Sequence, residues 1–267
     1  MSRLEGRTAI VTGTSPNIGG VIARGLAAEG ARVVCTDISE KSAQGCADAI
    51  VAEGGEALAV VGDVTDPGHA DEAVAAAVDT WGSVDILVNN AVWFRHRGLL
   101  DMTYDEYRHQ LDVILGGAFL FSRAVARAMI DTETSGSIIN VLSTAAWQGE
   151  PGNVGYSTGK SGLVNFTRSV AMELAPHGIR VNGFTPTATQ TVDATTRALQ
   201  DERRAQASDF TMDFRGLMPW GRLPTAADYV PTVVFLASDD SAMITGTNIT
   251  VDGGATAKYW PWVPTKS

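Results

Sequence analysis

Tyr156 and Lys160 stand four positions apart at the start of a helical pattern, and Ser143 precedes them at the end of an apolar, β-branched run. Residues four apart share one face of a helix, so we expect the Lys160 ammonium to lie against the Tyr156 phenol and to favour its ionised form. A phenol ordinarily titrates at about pH 10, and a neighbouring cation would make it a usable acid and base near neutrality. The three residues predict proton exchange with a substrate oxygen that Ser143 holds.

A glycine-bearing turn follows the first predicted strand, Thr8 to Val11, and leads into a predicted helix; its sequence is TGTSPNIGG, residues 12–20. A strand, a turn and a helix in this order present unpaired backbone N–H groups and the positive end of a helix dipole to a phosphate. Gly13 permits the tight turn, and Gly19 lets the helix approach the strand closely. A nucleotide site and a plain turn both fit these residues.

The second predicted strand, residues 31–36, ends in Asp37. An acidic residue about 20 positions beyond a glycine turn accepts hydrogen bonds from the adenosine ribose and repels a 2′-phosphate. No Arg or Lys stands in the turn or directly after Asp37. The sequence therefore predicts NAD rather than NADP as the cofactor. Capping of the helix that begins near Ser39 is a second role that the same carboxylate fits.

The composition predicts one soluble, cytoplasmic α/β domain spanning residues 1–267, with 45% hydrophobic and 19% charged residues. A net charge of −10 disfavours nucleic acid and anionic membranes as partners. The two cysteines, Cys35 and Cys46, show neither the number nor the spacing of a metal site or a disulfide framework. The N-terminus has no signal-peptide core, and we expect no membrane-spanning segment.

Strands and helices alternate along the chain, which predicts a Rossmann-type, doubly wound parallel sheet of about seven strands with helices on both faces. The further predicted strands are residues 57–61, 84–88, 137–142, 179–183 and 248–251, and the further predicted helices are residues 67–80, 104–130 and 156–176, with another from Thr225. Asp66 is a candidate N-cap, and Thr103 with Glu106 predicts a capping box. We expect Asp63 and Val64 to lie along an adenine, and Asn89 and Asn90 to pin neighbouring loops by side-chain hydrogen bonds. The polar stretch 185–221 predicts a substrate lid. The apolar tail 255–267 predicts contact with a neighbouring subunit.

The succession of motifs resembles the short-chain dehydrogenase/reductase family in its single-domain form, over nearly the whole chain. The matching segments are TGTSPNIGG, Asp37, GDVTD, NNA, Ser143, Tyr156 with Lys160, RVNGFTPT and ITGTNITVDGG. The resemblance implies an NAD-dependent homotetramer or homodimer that interconverts secondary alcohols and ketones, acts on CH–OH groups and uses no metal.

The resemblance also implies a role for each matching residue. Ser143 would polarise the substrate oxygen, Tyr156 would exchange its proton, and Lys160 would lower the pKa of Tyr156 and bind the nicotinamide ribose. Thr191 and the backbone after Pro186 would orient the nicotinamide. The cofactor-binding residues that it implies are Gly13, Asn17, Ile18, Asp37, Asp63, Val64, Asn90, Tyr156, Lys160, Thr187 and Thr191.

Four residues depart from the pattern of the family. Asn17 replaces a glycine of the turn but tolerates left-handed backbone angles, Val92 replaces the glycine after the two asparagines, and Thr187 replaces the glycine after Pro186. Ile114 stands where the family carries an Asn whose backbone holds a water of the proton relay. We expect the side-chain bonds that distort the helix at Ile114 to be lost and proton exchange to be slower.

Aromatic residues near the predicted site favour an apolar cyclic or aromatic substrate. The candidates for substrate contact are Trp93, Phe94, His96, Trp147, Gln148, Phe184, Phe210, Phe214 and Trp220. Arg95, His96 and Arg97 form a basic cluster that fits either a substrate carboxylate or a solvated loop. Two other functions stay open from the sequence, an NAD-binding sensor or scaffold without turnover and a non-redox enzyme such as an epimerase.

Overall fold

A seven-stranded parallel sheet organises the chain in a computed structural model that describes residues 2–191 and 218–259. The strand order is β3-β2-β1-β4-β5-β6-β7. The strands are Thr8–Thr12 (β1), Arg32–Asp37 (β2), Ala57–Val61 (β3), Ile86–Asn89 (β4), Ser137–Val141 (β5), Arg180–Pro186 (β6) and Asn248–Val251 (β7). The predicted doubly wound fold is confirmed, and the order reverses between β1 and β4, which opens a crevice at their carboxyl ends.

Helices connect the strands across both faces of the sheet. They are Ile18–Ala28 (α1), Glu40–Ala52 (α2), Pro67–Trp81 (α3), Tyr104–Leu111 (α4), Gly117–Asp131 (α5), Val154–Leu174 (α6) and Val230–Ala237 (α7). Asp66 caps α3 by accepting a hydrogen bond from the N–H of Gly68, as predicted, and Thr103 with Glu106 forms the predicted capping box of α4. The helix expected from Thr225 begins instead with a 3₁₀ turn, Ala226–Tyr229.

Two apolar cores cover the two faces of the sheet. On one face, Leu26 of α1 and Val233 of α7 pack in the same buried cluster as Val33 of β2. On the other face, Phe121 of α5 packs with Leu87 of β4. Because both faces are covered, the strands are apolar throughout, and each fully buried side chain of this size contributes roughly 1.5–3 kcal/mol of transfer free energy.

The helix predicted over residues 104–130 is interrupted by a π-helical turn, Asp112–Gly116, between α4 and α5. Ile114 makes no side-chain hydrogen bond, as its type predicts, and the distortion is nevertheless present with Ile114 at its centre. Ile114 is buried against α6, where a Cβ added to Gly159 would lie within 3.1 Å of its side chain. The side chain of Ile114 thus packs on Gly159 where the helix widens. The π-helical turn forms without hydrogen bonds from an Asn side chain.

The stretch Tyr104–Asp131 is long and apolar enough to cross a membrane by length and composition alone. More than half of its most apolar window, 56%, is buried inside the domain. Its buried side chains include Phe121 and Met129, which lie in the core under the sheet. The stretch is therefore accounted for as a core element of this fold.

Candidate active site

Ser143, Tyr156 and Lys160 come together beyond the carboxyl end of β5. Ser143 has an extended backbone, with φ −164°, and its hydroxyl accepts a hydrogen bond of 3.1 Å from the N–H of Ala145. Tyr156 and Lys160 lie in the first two turns of α6, and Lys160 Nζ lies 5.7 Å from the centre of the Tyr156 ring. The predicted grouping of a hydroxyl, a phenol and an amine on one side of the sheet is thus present in the structure.

Burial governs the protonation of the pair. Burial raises the pKa of the Tyr156 phenol above its usual value, although a hydrogen bond with Ser143 opposes the shift. Burial also lowers the pKa of Lys160 to about 7, and its Nζ donates a 2.5 Å hydrogen bond to the carbonyl oxygen of Val141. Loss of hydration therefore favours the neutral form of both groups and outweighs any effect of Lys160 on the phenol, and the predicted effect of Lys160 on Tyr156 stays a prediction.

The N-terminus of α1 fits a phosphate. No side chain caps α1, whereas Ser39 and Asp66 cap α2 and α3. The N–H of Gly20 donates to the carbonyl oxygen of Ser15, so the N–H groups of Ile18 and Gly19 are the ones that a phosphate could approach. Asn17 has φ −134° and ψ −139°, which is not the left-handed region that would have explained an Asn at this position. A left-handed backbone therefore does not account for the Asn at position 17.

Gly13 and Gly19 bring the turn and the helix into close contact. Gly13 has a left-handed backbone with φ +72°, which favours glycine. A Cβ added to Gly19 would lie 2.0 Å from the carbonyl oxygen of Gly13 and 2.4 Å from the side-chain nitrogen of Asn90. The close approach predicted for Gly19 is therefore present, and it leaves no space for a side chain.

We expect Gly19→Ala to abolish measurable NAD binding, with Kd at least roughly 30-fold higher, because the turn must move away from β4 to admit a methyl group. The matched control is Gly45→Ala in α2, where an added Cβ would meet nothing within 4 Å. Gly45→Ala should leave Kd unchanged and stabilise the helix by about 0.5–1 kcal/mol. Calorimetric titration with NAD measures Kd for both variants. Equal Kd values for Gly19→Ala and Gly45→Ala would contradict this role of Gly19.

Asp37 ends β2 beside the glycine turn, as predicted for a ribose-binding carboxylate. Its Oδ1 accepts a 2.9 Å hydrogen bond from the N–H of Ser39, while the Ser39 hydroxyl is the cap of α2. The pKa of Asp37 is raised by burial, and backbone N–H groups of Ser39, Ser15 and Thr14 oppose the shift. The carboxylate therefore faces the turn, and capping of α2 belongs to Ser39.

Two consecutive asparagines pin the loops around this crevice. Asn90 Nδ2 donates hydrogen bonds to the carbonyl oxygens of Thr12, at 3.0 Å, and Gly13, at 2.8 Å. Asn89 Nδ2 donates to Asn140 Oδ1 at 2.9 Å. The loop-fixing role that the sequence suggested for the two asparagines is thus observed, and the amide of Asn90 is committed to the glycine turn.

Asp63 and Val64, predicted to lie along the adenine, follow β3. Asp63 Oδ1 accepts hydrogen bonds from the backbone N–H of Thr65, at 2.9 Å, and from its hydroxyl, at 2.8 Å. Val64 is buried and helps to line a small cavity behind Lys160, whose walls are Thr12, Val64, Asn89, Ala91, Val113, Ile114, Gly117, Ala118, Lys160 and Leu163. Ile114 thus contributes an apolar side chain to the wall of the cavity that Lys160 also lines.

Phe94 is the predicted substrate-facing aromatic that contacts Tyr156. Its ring stands edge-on to that of Tyr156, with centroids 5.2 Å apart and planes at 87°. His96 lies 6.2 Å from Phe94 by ring centroids, and Trp147 remains 47% exposed beyond Ser143. Phe94, His96 and Trp147 therefore lie close enough to the site to meet a substrate.

Two of the predicted substrate contacts belong to the core instead. Phe184 is fully buried and packs 5.2 Å from the ring of Tyr229, because its position in β6 directs it into the core on the α1 face. Trp93 packs 4.8 Å from His109 and against the core on the opposite face. Trp220 is 73% exposed. Phe210 and Phe214 lie outside the described residues, as does most of the predicted lid, residues 192–217, and the end of the tail, residues 260–267.

Two residues of the basic cluster after β4 form ion pairs with a carboxylate of α4. Arg95 Nε lies 3.5 Å and Arg97 Nε 3.3 Å from Glu106 Oε1. Glu106 also accepts the hydrogen bond from Thr103 that closes the capping box. These ion pairs agree with the solvated-loop interpretation of Arg95 and Arg97, because both guanidinium groups already share the carboxylate of Glu106.

The loop after β6 lies next to the catalytic serine through contacts that the sequence did not suggest. The hydroxyl of Thr144 donates a 3.3 Å hydrogen bond to the hydroxyl of Thr187, and the Tyr229 hydroxyl lies 2.8 Å from Thr189 Oγ1. Thr191, which belongs to the predicted lid, is buried and is the last residue described before position 218. Thr187, in the predicted cofactor loop, is thereby linked to the turn that carries Ser143. Only the tertiary structure reveals this contact.

Comparison with known proteins agrees with this geometry. A family model described as enoyl-(acyl carrier protein) reductase matches residues 13–256. The 3-oxoacyl-(acyl-carrier-protein) reductase FabG of Escherichia coli is 38% identical over 94% of this chain and 97% of its own length. The L-rhamnose 1-dehydrogenase (NAD(P)(+)) of a Sphingomonas species is 38% identical over 95% of this chain and 98% of its own. The structure of an NAD⁺-bound xylitol dehydrogenase superposes with a TM-score of 0.87 at 30% identity, covering 94% of this chain and all of the other.

The fold and the site define a dinucleotide-dependent oxidoreductase that acts on CH–OH groups with NAD(P). The chain belongs to the short-chain dehydrogenase/reductase family, and the resemblance predicted from its motifs is confirmed.

Proposed function

We propose that the protein is an NAD-dependent dehydrogenase that interconverts a secondary alcohol and a ketone, with Tyr156 as the general acid and base. The observation that supports this most directly is the assembly of Ser143, Tyr156 and Lys160 at the carboxyl end of β5. The uncapped N-terminus of α1 lies at the crevice of the same sheet. When bound there, NAD would supply the acceptor for a hydride from the substrate carbon.

The proton chemistry follows from the two buried groups. A phenol whose pKa is raised stays protonated at neutral pH, so Tyr156 is ready to donate a proton to the oxygen of a ketone that is being reduced. Lys160, with a pKa of about 7, exists near neutrality as both amine and ammonium. It can therefore take up a proton in alcohol oxidation and return one in ketone reduction, while Ser143 holds the substrate oxygen.

We propose an apolar cyclic or aromatic small molecule as the substrate, supported by the surroundings of Tyr156. Phe94 lies edge-on to the reacting ring, and Trp147 is exposed on the side of Ser143. Aromatic walls favour a flat or cyclic carbon skeleton, because its burial against them removes apolar surface from water. The FabG and L-rhamnose dehydrogenase relatives act on different substrates by their names, so relatedness alone does not choose among substrates.

We further propose a cytoplasmic homotetramer or homodimer formed by one domain. Apolar side chains are exposed on α5 and α6, namely Phe119 at 49%, Ile130 at 39% and Met172 at 62%. Exposed apolar residues on neighbouring helices are characteristic of a face that another subunit covers. Both described ranges, residues 2–191 and 218–259, contribute to one sheet, which supports a single domain.

The preference for NAD is tested by Asp37→Asn. The carboxylate repels a 2′-phosphate, so its neutralisation should raise the ratio of kcat/KM for NADP over NAD by about 10-fold or more. Asp48→Asn in α2 is the matched control, because Asp48 is exposed and bonded only to Gln44 in the described structure. Steady-state NAD(P)H formation with one alcohol measures the ratios, and a wild-type protein that prefers NADP would contradict the proposed cofactor.

A further inference from the structure

A tyrosine outside the catalytic group holds the loop after β6 from the side of α7. Tyr229 is fully buried, and its ring packs on Phe184 of β6. Its hydroxyl lies 2.8 Å from Thr189 Oγ1 and donates towards the carbonyl oxygen of Thr187 at 3.4 Å. Thr189 Oγ1 in turn donates a 2.9 Å hydrogen bond to the same carbonyl. The loop backbone is therefore bonded to two hydroxyls at Thr187.

The same loop is bonded on its other side to the catalytic turn. Thr144, the residue after Ser143, donates the 3.3 Å hydrogen bond to Thr187 Oγ1. We call the four residues Thr144, Thr187, Thr189 and Tyr229 the hydroxyl latch. It runs from the buried core beneath α7, through the loop after β6, to the turn that carries Ser143.

The chemistry of the latch residues suits a fixed link. Burial of a hydroxyl without a partner costs free energy, so a phenol in this core is maintained only where it is hydrogen-bonded. Burial raises the pKa of Tyr229 to about 12, and the phenol therefore remains a neutral donor at and well above neutral pH. Thr187 can make the link to Thr144 because it carries a hydroxyl where the family carries a glycine. The link to the turn that carries Ser143 thus depends on the hydroxyl of Thr187.

We propose that Tyr229, through Thr189 and Thr187, is a positioning residue that fixes the loop after β6 relative to Ser143 and thereby sets the hydride-transfer distance. The inference rests on the proposed function, in which the loop faces the nicotinamide and Ser143 faces the substrate. If the loop or Ser143 is displaced by a fraction of an ångström, hydride transfer becomes slower although every reacting group is still present.

The test compares Tyr229→Phe with Tyr104→Phe, a matched control because Tyr104 is 72% exposed. Single-turnover NADH formation is followed with a secondary alcohol and with the same alcohol deuterated at the reacting carbon. We expect Tyr229→Phe to slow hydride transfer roughly 3- to 10-fold, the effect of one neutral hydrogen bond, and to increase the observed isotope effect, with Kd for NAD changed less than about 2-fold. An unchanged transfer rate would overturn the proposal.

A second measurement does not depend on turnover. The N–H of Gln190 is bonded to the carbonyl oxygen of Pro224 at 2.7 Å, and its hydrogen exchange reports whether the loop is held. Exchange should be faster in Tyr229→Phe and in Thr189→Val than in the wild type. The double variant should exchange only slightly faster than either single variant, because the two substitutions remove the same hydrogen bond. Exchange equal to that of Tyr104→Phe would overturn the latch. If the wild-type protein shows no turnover but exchange at Gln190 is still faster in the two variants, the proposed function fails and the latch is supported.

Discussion

Tyr156→Phe is expected to lower kcat by about 10²- to 10⁴-fold while NAD still binds with a Kd within roughly 3-fold of the wild type. The phenyl ring keeps the edge-on contact with Phe94, so the site retains its shape and loses one proton-carrying oxygen. Ser143 loses its hydrogen bond with the phenol and keeps the hydrogen bond from the N–H of Ala145. Steady-state NADH formation gives kcat, and fluorescence titration with NADH gives Kd.

Tyr104→Phe serves again as the control for a lost phenolic hydroxyl and should retain wild-type kcat, since Tyr104 is exposed at the start of α4. A Tyr156→Phe variant that kept most of its activity would show that another group donates the proton. A variant that also lost NAD binding would show that the phenol holds the cofactor site together, and the catalytic assignment would then lack its main support.

Lys160→Met is expected to remove activity and, at the same time, to stabilise the protein without cofactor. The pKa of Lys160 falls from its ordinary 10.5 to about 7 on folding, because burial disfavours the ammonium. The unfolded chain therefore binds more protons between these two values, and stability rises with pH across that window. Below about pH 7 both states are protonated, and the folded state bears the full cost of the buried charge.

A methionine of similar length removes that cost and should raise the free energy of unfolding at pH 7 by about 2–4 kcal/mol, allowing for the lost bond to Val141. The rise in stability between about pH 7 and pH 10 should also become smaller. Urea unfolding at several pH values measures both effects, with Lys41→Met on the exposed face of α2 as the control. A lower unfolding midpoint in Lys160→Met would show that the ammonium stabilises the fold.

Local rules were sufficient to predict most of the scaffold. The alternation of apolar strands with capped helices led to the doubly wound sheet, and Thr103 with Glu106 marked the start of α4 correctly. The boundary of β6 was the least accurate, because pairing with β7 extends it to Pro186. Ser143, Tyr156 and Lys160 were identified because their types and spacing are set by the chemistry they would perform.

The remaining differences arise from contacts between distant parts of the chain. The π-helical turn at Ile114 follows from packing on α6, while its own sequence has ordinary helical periodicity. Burial shifts the pKa values of Lys160 and Tyr156, and spacing along one helix does not reveal how deeply either side chain is buried. Tyr229 lies 40 positions from Thr189, so its place in the latch had no local signal.

NADH formation by the wild-type protein on a panel of cyclic and aromatic secondary alcohols, with NAD and NADP compared side by side, tests the central claim most directly. The structure leads us to expect turnover with NAD, weaker turnover with NADP, and loss of both in Tyr156→Phe. Tight NAD binding without turnover on any alcohol or ketone would contradict the dehydrogenase assignment and favour a sensor, with Ile114 beside Lys160 as the first residue to exchange. A changed substrate configuration without net NADH would instead identify an epimerase.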